Sequence, residues 1–161
     1  KFKMIKFRTM FQDCSKIPLF EYTAENDPRV TKVGKFLRRF SIDELPQVFN
    51  ILKGDMSFVG PRPAVLFRME KATDLERKRL QARPGLTGWQ QVNGRNSIGW
   101  QEIIALDNWY IAHFSLLLDL KIILRTFQVV IGGKGRNASQ KMISDIAADF
   151  YNYIKSSRNN S

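Results

Sequence analysis

Apolar residues recur at helical spacing between residues 30 and 40 of the chain. Val30, Val33, Phe36 or Leu37, and Phe40 follow one another at intervals of three or four residues, as on one face of a helix. The positions around them hold cations and no acid: Arg29, Lys32, Lys35, Arg38 and Arg39. The pattern therefore predicts an amphipathic helix with a basic polar face.

A second helix is predicted to begin near Ser41. Ser41 and Glu44 have the spacing of a capping box. With Ser41 as the N-cap, however, Pro46 lies inside the helix and removes one backbone hydrogen bond. With Asp43 as the N-cap, Pro46 falls in the first turn, where a missing N–H costs little. We favour Asp43 at or beside the cap.

The rest of this helix is predicted from an apolar stripe and a terminal glycine. Leu45, Phe49 and Leu52 form the stripe, which we expect to be buried, and Gly54 ends the helix. The stretch 54–65 holds too many glycines and prolines for a regular element, whereas 66–81 is predicted to be helical and highly charged.

The ends of the chain and its glycine-rich middle give weaker patterns. Partial alternation of apolar and basic residues predicts a short strand over residues 1–10. Turn residues at both ends of "RPGLTGWQQVNGR", 83–95, predict a loop or a short hairpin. The chain becomes polar from Gly132 onward, with a short helix predicted at "DIAADFYNYI".

Two long apolar stretches complete the fold prediction. Residues 100–114 predict a helix, and residues 115–133 predict a buried or an interfacial one. Asp119, Lys121 and Arg125 interrupt the second stretch, so it lacks the roughly 20 uncharged residues of a spanning helix. The predicted class is α+β, mostly α-helical, in one domain with a small strand element.

Composition narrows the kind of partner. The 161 residues include 26 Lys and Arg against 15 Asp and Glu, for a net charge of +11. Such a balance indicates an anionic partner: nucleic acid, phospholipid headgroups or a phosphorylated small molecule. A single cysteine, Cys14, excludes an intrachain disulfide, and with His113 as the one histidine a His/Cys zinc site is excluded too.

Asp43 and Glu44 are the first candidates for chemistry. A capping acid followed by a first-turn acid would explain the pair, because a helix N-terminus favours negative charge. The alternative is an active site, in which the preceding cations keep an aspartate ionised as a nucleophile and a neighbouring glutamate holds Mg²⁺. The residues alone leave both interpretations open.

The segment Gly60-Pro61-Arg62-Pro63 is the second candidate. Pro61 and Pro63 restrict the backbone on both sides of Arg62, whose guanidinium matches two phosphate oxygens at once. A rigid loop with a solvated arginine is the alternative. Weaker candidates are Lys6 and Arg8 as phosphate ligands or a basic strand face. Glu102 and Asp107 are candidate substrate ligands or surface acids.

Taken jointly, these segments resemble the bacterial sugar transferase family, the monotopic polyprenyl-phosphate phosphoglycosyl transferases. The resemblance rests on "KFRTM" (6–10), "DPRVTKVGKFLRRFSIDELPQVFNILKGDMSFVGPRP" (27–63), "RPGLTGWQQVNGR" (83–95), and "LDNWY" followed by "SLLLDLKIIL". It covers the chain to about Gly135, which divides the sequence into a catalytic domain, 1–135, and a polar tail, 136–161.

The resemblance implies an activity. Family members transfer a sugar 1-phosphate from a UDP-sugar to undecaprenyl phosphate, release UMP and so begin a bacterial surface glycan. By this likeness Asp43 attacks the β-phosphorus to give a covalent phosphosugar, Glu44 binds Mg²⁺ and Arg62 clamps phosphate. Lys6, Arg8, Arg95, Glu102 and Asp107 are further carry-overs, beside Pro61 and Pro63 of the loop.

The resemblance also implies a location, the cytoplasmic face of the inner membrane, with anionic lipid as a partner and a homodimer left open. Family members carry a re-entrant hydrophobic helix before the segment that matches "KFRTM". We interpret this sequence, which opens on "KFKMIKFRTM" without an initiator methionine, as a fragment lacking that helix. A nucleic-acid-binding module and a non-catalytic membrane scaffold are the rivals. No helix-turn-helix, zinc or RNP-like signature supports the first.

Overall fold

The computed structural model describes residues 1–11, 27–94, 98–132 and 140–159. Eight helices and two short strands appear there. The helices are α1 (Lys32–Arg39), α2 (Val48–Leu52), α3 (Leu66–Glu70), α4 (Asp74–Arg77), α5 (Trp89–Asn93), α6 (Trp100–Ala112), α7 (Leu116–Gly132) and α8 (Gln140–Asn159); the strands are β1 (Ser57–Val59) and β2 (Gly85–Thr87). Two 3₁₀ segments, Ile42–Gln47 and Lys78–Gln81, precede α2 and follow α4. The predicted mostly helical α+β class is confirmed.

The two strands pair in parallel, with Ser57 opposite Gly85 and Val59 opposite Thr87. The loop or hairpin predicted for 83–95 is therefore wrong, because that segment supplies β2 and then helix α5. Parallel strands need a long connection, and here the chain between 59 and 85 provides it. The connection contains short helical pieces rather than the continuous helix predicted for 66–81.

The core lies where α5, α6, α7 and α8 meet the small sheet. Its buried side chains are Val59, Trp89, Val92, Ile98, Leu106, Tyr110, Ile122 and Ile143. Helix α8 supplies Ile143 and is longer than the short helix predicted for this region. Within the ranges described above, no helix is both long and apolar enough to cross a bilayer.

The region of α1 and α2 has the opposite burial pattern. Its inward side chains are polar, since Asp43, Gln47 and Asn50 are buried. Phe49 and Leu52 are 61% and 78% exposed, so the prediction of a buried stripe was wrong. The helical spacing of these residues was predicted correctly. Such spacing shows that the helix has an apolar face, but it does not show whether that face packs against the rest of the protein.

The start of the second predicted helix also differs from the prediction. The N-cap is Ser41, in the left-handed region at φ 56°, and its hydroxyl makes no capping hydrogen bond. Pro46 lies within the segment, which adopts the tighter 3₁₀ form. The preference for Asp43 at or beside the cap was therefore wrong, and Asp43 and Glu44 occupy the first turn together.

The first ten residues form no regular element in place of the predicted strand. Only an isolated antiparallel bridge, Met10 with Val30, is formed. Asn50 holds this segment in place, because its Nδ2 donates to the Lys3 carbonyl at 2.9 Å and its Oδ1 accepts from Ile5 N at 3.0 Å. Side-chain anchoring replaces the strand ladder and fixes the path of the chain past α2.

Candidate active site

Asp43 lies on a segment that touches the N-terminal stretch of the chain. Phe7 N donates to the Asp43 carbonyl at 3.0 Å, which brings the neighbouring Lys6 towards the acid. Burial, and then the charge of Glu44, raise the pKa of the Asp43 carboxyl, whereas Lys6 and Arg38 lower it. The sequence predicted that the cations preceding the acid pair would lower the pKa of Asp43, and the net direction was wrong. Arg38 from that run lowers the pKa, as does Lys6, but burial and the charge of Glu44 outweigh both.

Glu44 faces the glycine-proline loop across the site. Arg62 Nη2 lies 2.5 Å from Glu44 Oε1, and Nη1 lies 3.4 Å from Oε2. The Arg62 side chain remains 45% exposed in this pair. The structure therefore joins the two segments that the sequence analysis singled out, and it leaves the guanidinium open to a ligand from solvent.

The loop itself is held by β2. Gly60 N donates to the Thr87 carbonyl and Gly85 N donates to the Pro61 carbonyl, each at 2.9 Å. A Cβ on Gly85 would lie 2.1 Å from Gly60 N, a distance that no side chain tolerates. Glycines in both segments thus allow two backbones to approach closely. These glycines therefore allow the loop to pack closely against β2.

Other predicted site residues lie on the N-terminal segment, in the glycine-proline loop and at the start of α6. Arg8 is exposed on the N-terminal segment, Pro61 is buried and Pro63 is half-buried. Glu102 Oε2 accepts from Gly99 N at 2.6 Å and caps α6. Arg95 lies outside the described residues.

Asp107 is fully buried and paired with Arg79, a residue that the sequence analysis missed. Arg79 Nη2 lies 2.7 Å from Asp107 Oδ2, with both side chains at most 3% exposed. Burial raises the pKa of Asp107 to about 7, and the charge of Arg79 opposes that rise. Arg79 stands in the run "ERKRL", where nothing distinguishes it from its solvated neighbours.

A divalent cation fits part of this donor set. In the described ranges, no three acids, histidines or cysteines gather into a protein-only metal cage. Mg²⁺ commonly uses one or two carboxylates together with substrate phosphates and water. Asp43 and Glu44 supply adjacent carboxylates. Burial, and then the charge of Glu44, raise the pKa of Asp43, and a cation would relieve the repulsion between the two acids. The site thus suits a metal that arrives with a phosphorylated ligand.

Comparisons with known proteins identify a family and several relatives. Residues 1–133 match the family described as bacterial sugar transferase. The chain is 45% identical over 145 residues to the galactosyl transferase CpsE of Streptococcus agalactiae serotype III (strain NEM316), an alignment covering 83% of this chain and 32% of that protein.

Two further relatives have similar sequence identities. The chain is 44% identical over 135 residues to the uncharacterized sugar transferase EpsL of Bacillus subtilis (strain 168), covering 83% of this chain and 65% of EpsL. It is 45% identical over 115 residues to the undecaprenyl-phosphate galactose phosphotransferase of Salmonella typhimurium, covering 71% of this chain and 24% of that protein. The chain spans between 24% and 65% of the length of these relatives.

Proposed function

The chain belongs to the bacterial sugar transferase family, and from that premise we propose that it transfers a sugar 1-phosphate from a UDP-sugar to undecaprenyl phosphate. The observation that carries the proposal is the pairing of Glu44 with Arg62 beside the buried Asp43. A relative named as an undecaprenyl-phosphate galactose phosphotransferase supports the lipid acceptor and the phosphosugar cargo. The reaction would begin the synthesis of a bacterial surface glycan.

In the first step the Asp43 carboxylate attacks the β-phosphorus of the UDP-sugar. A bond forms between Asp43 Oδ and that phosphorus, and the bond from the phosphorus to the bridging oxygen breaks. UMP departs with the electron pair of that oxygen, and a sugar phosphate remains on Asp43. The raised pKa of Asp43 means a more basic, and hence more nucleophilic, carboxylate once it is ionised.

In the second step a phosphate oxygen of undecaprenyl phosphate attacks the same phosphorus. The bond to Asp43 breaks, the carboxylate is regenerated, and the lipid leaves as a diphosphate-linked sugar. Both steps bring two anions together, so fixed positive charge must offset their repulsion. Arg62 is the exposed guanidinium within reach of Glu44, and we assign it to the donor phosphates, with Lys6 and Arg8 on the neighbouring segment.

Magnesium is the cofactor that this donor set suits. Glu44 would hold the ion, with Asp43 beside it and the substrate phosphates completing the shell. Bound there, the ion would neutralise phosphate charge and polarise the phosphoryl oxygens. In the structure Arg62 pairs with Glu44 at 2.5 Å. In the proposed reaction the Arg62 guanidinium would leave this pair to bind the donor phosphates, and the Glu44 carboxylate would then be free to hold the ion.

Anionic membrane lipid is the proposed surface on which the domain works. Helix α7 exposes six large apolar side chains, Leu116, Leu117, Leu120, Leu124, Phe127 and Ile131, and the region of α1 and α2 adds Val33, Phe36, Phe49 and Leu52. Apolar exposure of this extent marks an interaction site. Basic residues of α1 would add about 1 kcal/mol each near an anionic leaflet. We therefore place the domain on the cytoplasmic face of the inner membrane, where both substrates meet.

The experiment that tests this function is a donor panel. The full-length protein in nanodiscs is incubated with undecaprenyl phosphate, Mg²⁺ and each of several UDP-sugars, and released UMP is measured. We expect UMP with at least one donor and none with Asp43→Asn. Absence of UMP from the folded wild type with every donor would contradict the proposal, and unchanged release by Asp43→Asn would contradict the role of Asp43.

A further inference from the structure

Arg79 connects a buried acid to the backbone of the phosphate-clamp loop. Its Nη2 donates to the Arg62 carbonyl at 2.8 Å and lies 2.7 Å from Asp107 Oδ2. In the described parts of the chain that Asp107 oxygen has no aligned hydrogen-bond donor. Asp107 therefore holds Arg79 by charge, and the directional bond of the guanidinium goes to the loop.

This bond completes a series of three along the loop. The backbone is held at Gly60 N and at the Pro61 carbonyl by β2, and at the Arg62 carbonyl by Arg79. Consecutive anchors of this kind fix the direction in which the intervening side chain leaves the backbone. The side chain that leaves it here is the Arg62 guanidinium, which contacts Glu44.

A contribution to stability does not explain why Arg79 and Asp107 form a buried ion pair. Removing two charges from water is costly, and replacing a buried ion pair with apolar residues of similar size often leaves a protein as stable or makes it more stable. Arg79 also packs over the Trp100 ring, with Cζ 5.2 Å from the ring centroid, so its place could be filled by an apolar side chain. A hydrogen bond to the Arg62 carbonyl is what such a replacement could not supply.

We propose that Asp107 and Arg79 form a positioning pair that orients Arg62 through its backbone carbonyl. The inference rests on the proposed function of Arg62 as a phosphate clamp. It assigns Asp107 a role behind the loop instead of a contact with substrate. Misplacement of a clamp by about 1 Å can cost on the order of 100-fold in rate, so the pair would matter to catalysis without touching a ligand.

The test uses an apolar replacement of the pair, the double variant Arg79→Met with Asp107→Leu, in the full-length protein in nanodiscs. We expect its thermal unfolding midpoint to stay close to that of the wild type and its UMP release to fall by about tenfold or more. Added to Arg62→Ala, the same double change should cost nothing further, because no guanidinium is left to orient. An equal fold loss in both backgrounds would overturn the inference.

Hydrogen exchange supplies a readout that does not need activity. In the double variant we expect the Gly60 and Gly85 amides to exchange about tenfold faster or more, because the loop has lost its third anchor. Unchanged exchange at both amides in a folded variant would overturn the inference. A wild type that releases no UMP would contradict the proposed function, and the exchange rates would still decide the role of the pair.

Tyr110→Phe is the matched control on the same helix. Tyr110 donates to Asp119 Oδ1 at 2.7 Å, so the change removes a half-buried polar contact of α6 without touching Arg79 or the loop. We expect it to leave both UMP release and the exchange of Gly60 and Gly85 at wild-type levels. A loss as large as that of the double variant would show that any weakening of α6 has this effect, and would overturn the inference.

Discussion

Arg62 Nη2 lies 2.5 Å from Glu44 Oε1, across 18 residues of sequence. The pair joins the two segments in which the sequence placed its chemistry. Because Glu44 is less exposed than Arg62, the arginine is the partner that a phosphate can reach. In the proposed function, this pair is the arrangement that Arg62 would leave in order to bind the donor phosphates.

Arg62→Ala should lower kcat/KM for UMP release on the order of 100-fold, because a charge-assisted donor to the reacting phosphate is lost. Arg62→Lys should recover part of the rate, since it keeps the charge but not the fork of two N–H groups. Lys78→Ala removes one exposed cation elsewhere and should have little effect. Steady-state UMP release measures all three, and equal losses for Arg62→Ala and Lys78→Ala would contradict a specific role.

Lys6→Met should move the acid limb of the pH–rate profile to higher pH. Lys6 lowers the pKa of Asp43, so its removal raises that pKa further, and a higher pH is then needed to ionise the nucleophile. The profile of kcat/KM against pH measures the shift. Lys1→Met, the same charge change at an exposed lysine that does not act on the pKa of Asp43, should leave the limb in place. A limb that moved to lower pH in Lys6→Met would refute the assignment.

Gly85→Ala should destabilise the protein far more than Gly54→Ala. A Cβ at Gly85 would lie 2.1 Å from Gly60 N, whereas a Cβ at Gly54 meets nothing within 4 Å. The Gly54 change costs only its left-handed backbone, φ 81°, about 1 kcal/mol. Overpacking at Gly85 should cost about 3 kcal/mol. Urea unfolding of both variants provides the comparison, and similar losses would mean that the loop and β2 are not in close contact.

Leu120→Asp on the exposed face of α7 should weaken binding to anionic vesicles by about tenfold or more, because burial of one leucine contributes roughly 1.5–3 kcal/mol. Asn152→Asp adds the same charge at an exposed position of α8 and is the control. Vesicle co-sedimentation at fixed salt measures both. If both variants bind alike and only slightly less than wild type, the α7 face does not contact lipid.

The helices were predictable where the apolar pattern extended over a long, continuous segment. Helices α1 and α6 formed where the apolar spacing predicted them, and α7 formed over the long apolar stretch. The strands β1 and β2 have three residues each, too few to show alternation, and their parallel pairing depends on contacts between distant segments. The exposed apolar face of α2 was misread because a periodic face does not reveal whether protein or another apolar phase covers it.

The candidate site was predictable in part. The adjacency of Asp43 and Glu44 and the preset backbone around Arg62 are local features, and the sequence contains them. Arg79 could not be picked out, because its role depends on a carbonyl 17 residues away and on Asp107. The pKa of Asp43 was misjudged for a related reason: a count of nearby cations in sequence omits burial.

Intact-mass analysis after incubation with a UDP-sugar and Mg²⁺, in the absence of lipid acceptor, is the most direct test of Asp43 as the nucleophile. We expect a mass increase equal to one sugar phosphate, mapped to Asp43 by peptide sequencing. It should disappear when undecaprenyl phosphate is added and never form in Asp43→Asn. An adduct on another residue, or lipid product formed at the wild-type rate by Asp43→Asn, would contradict this role of Asp43.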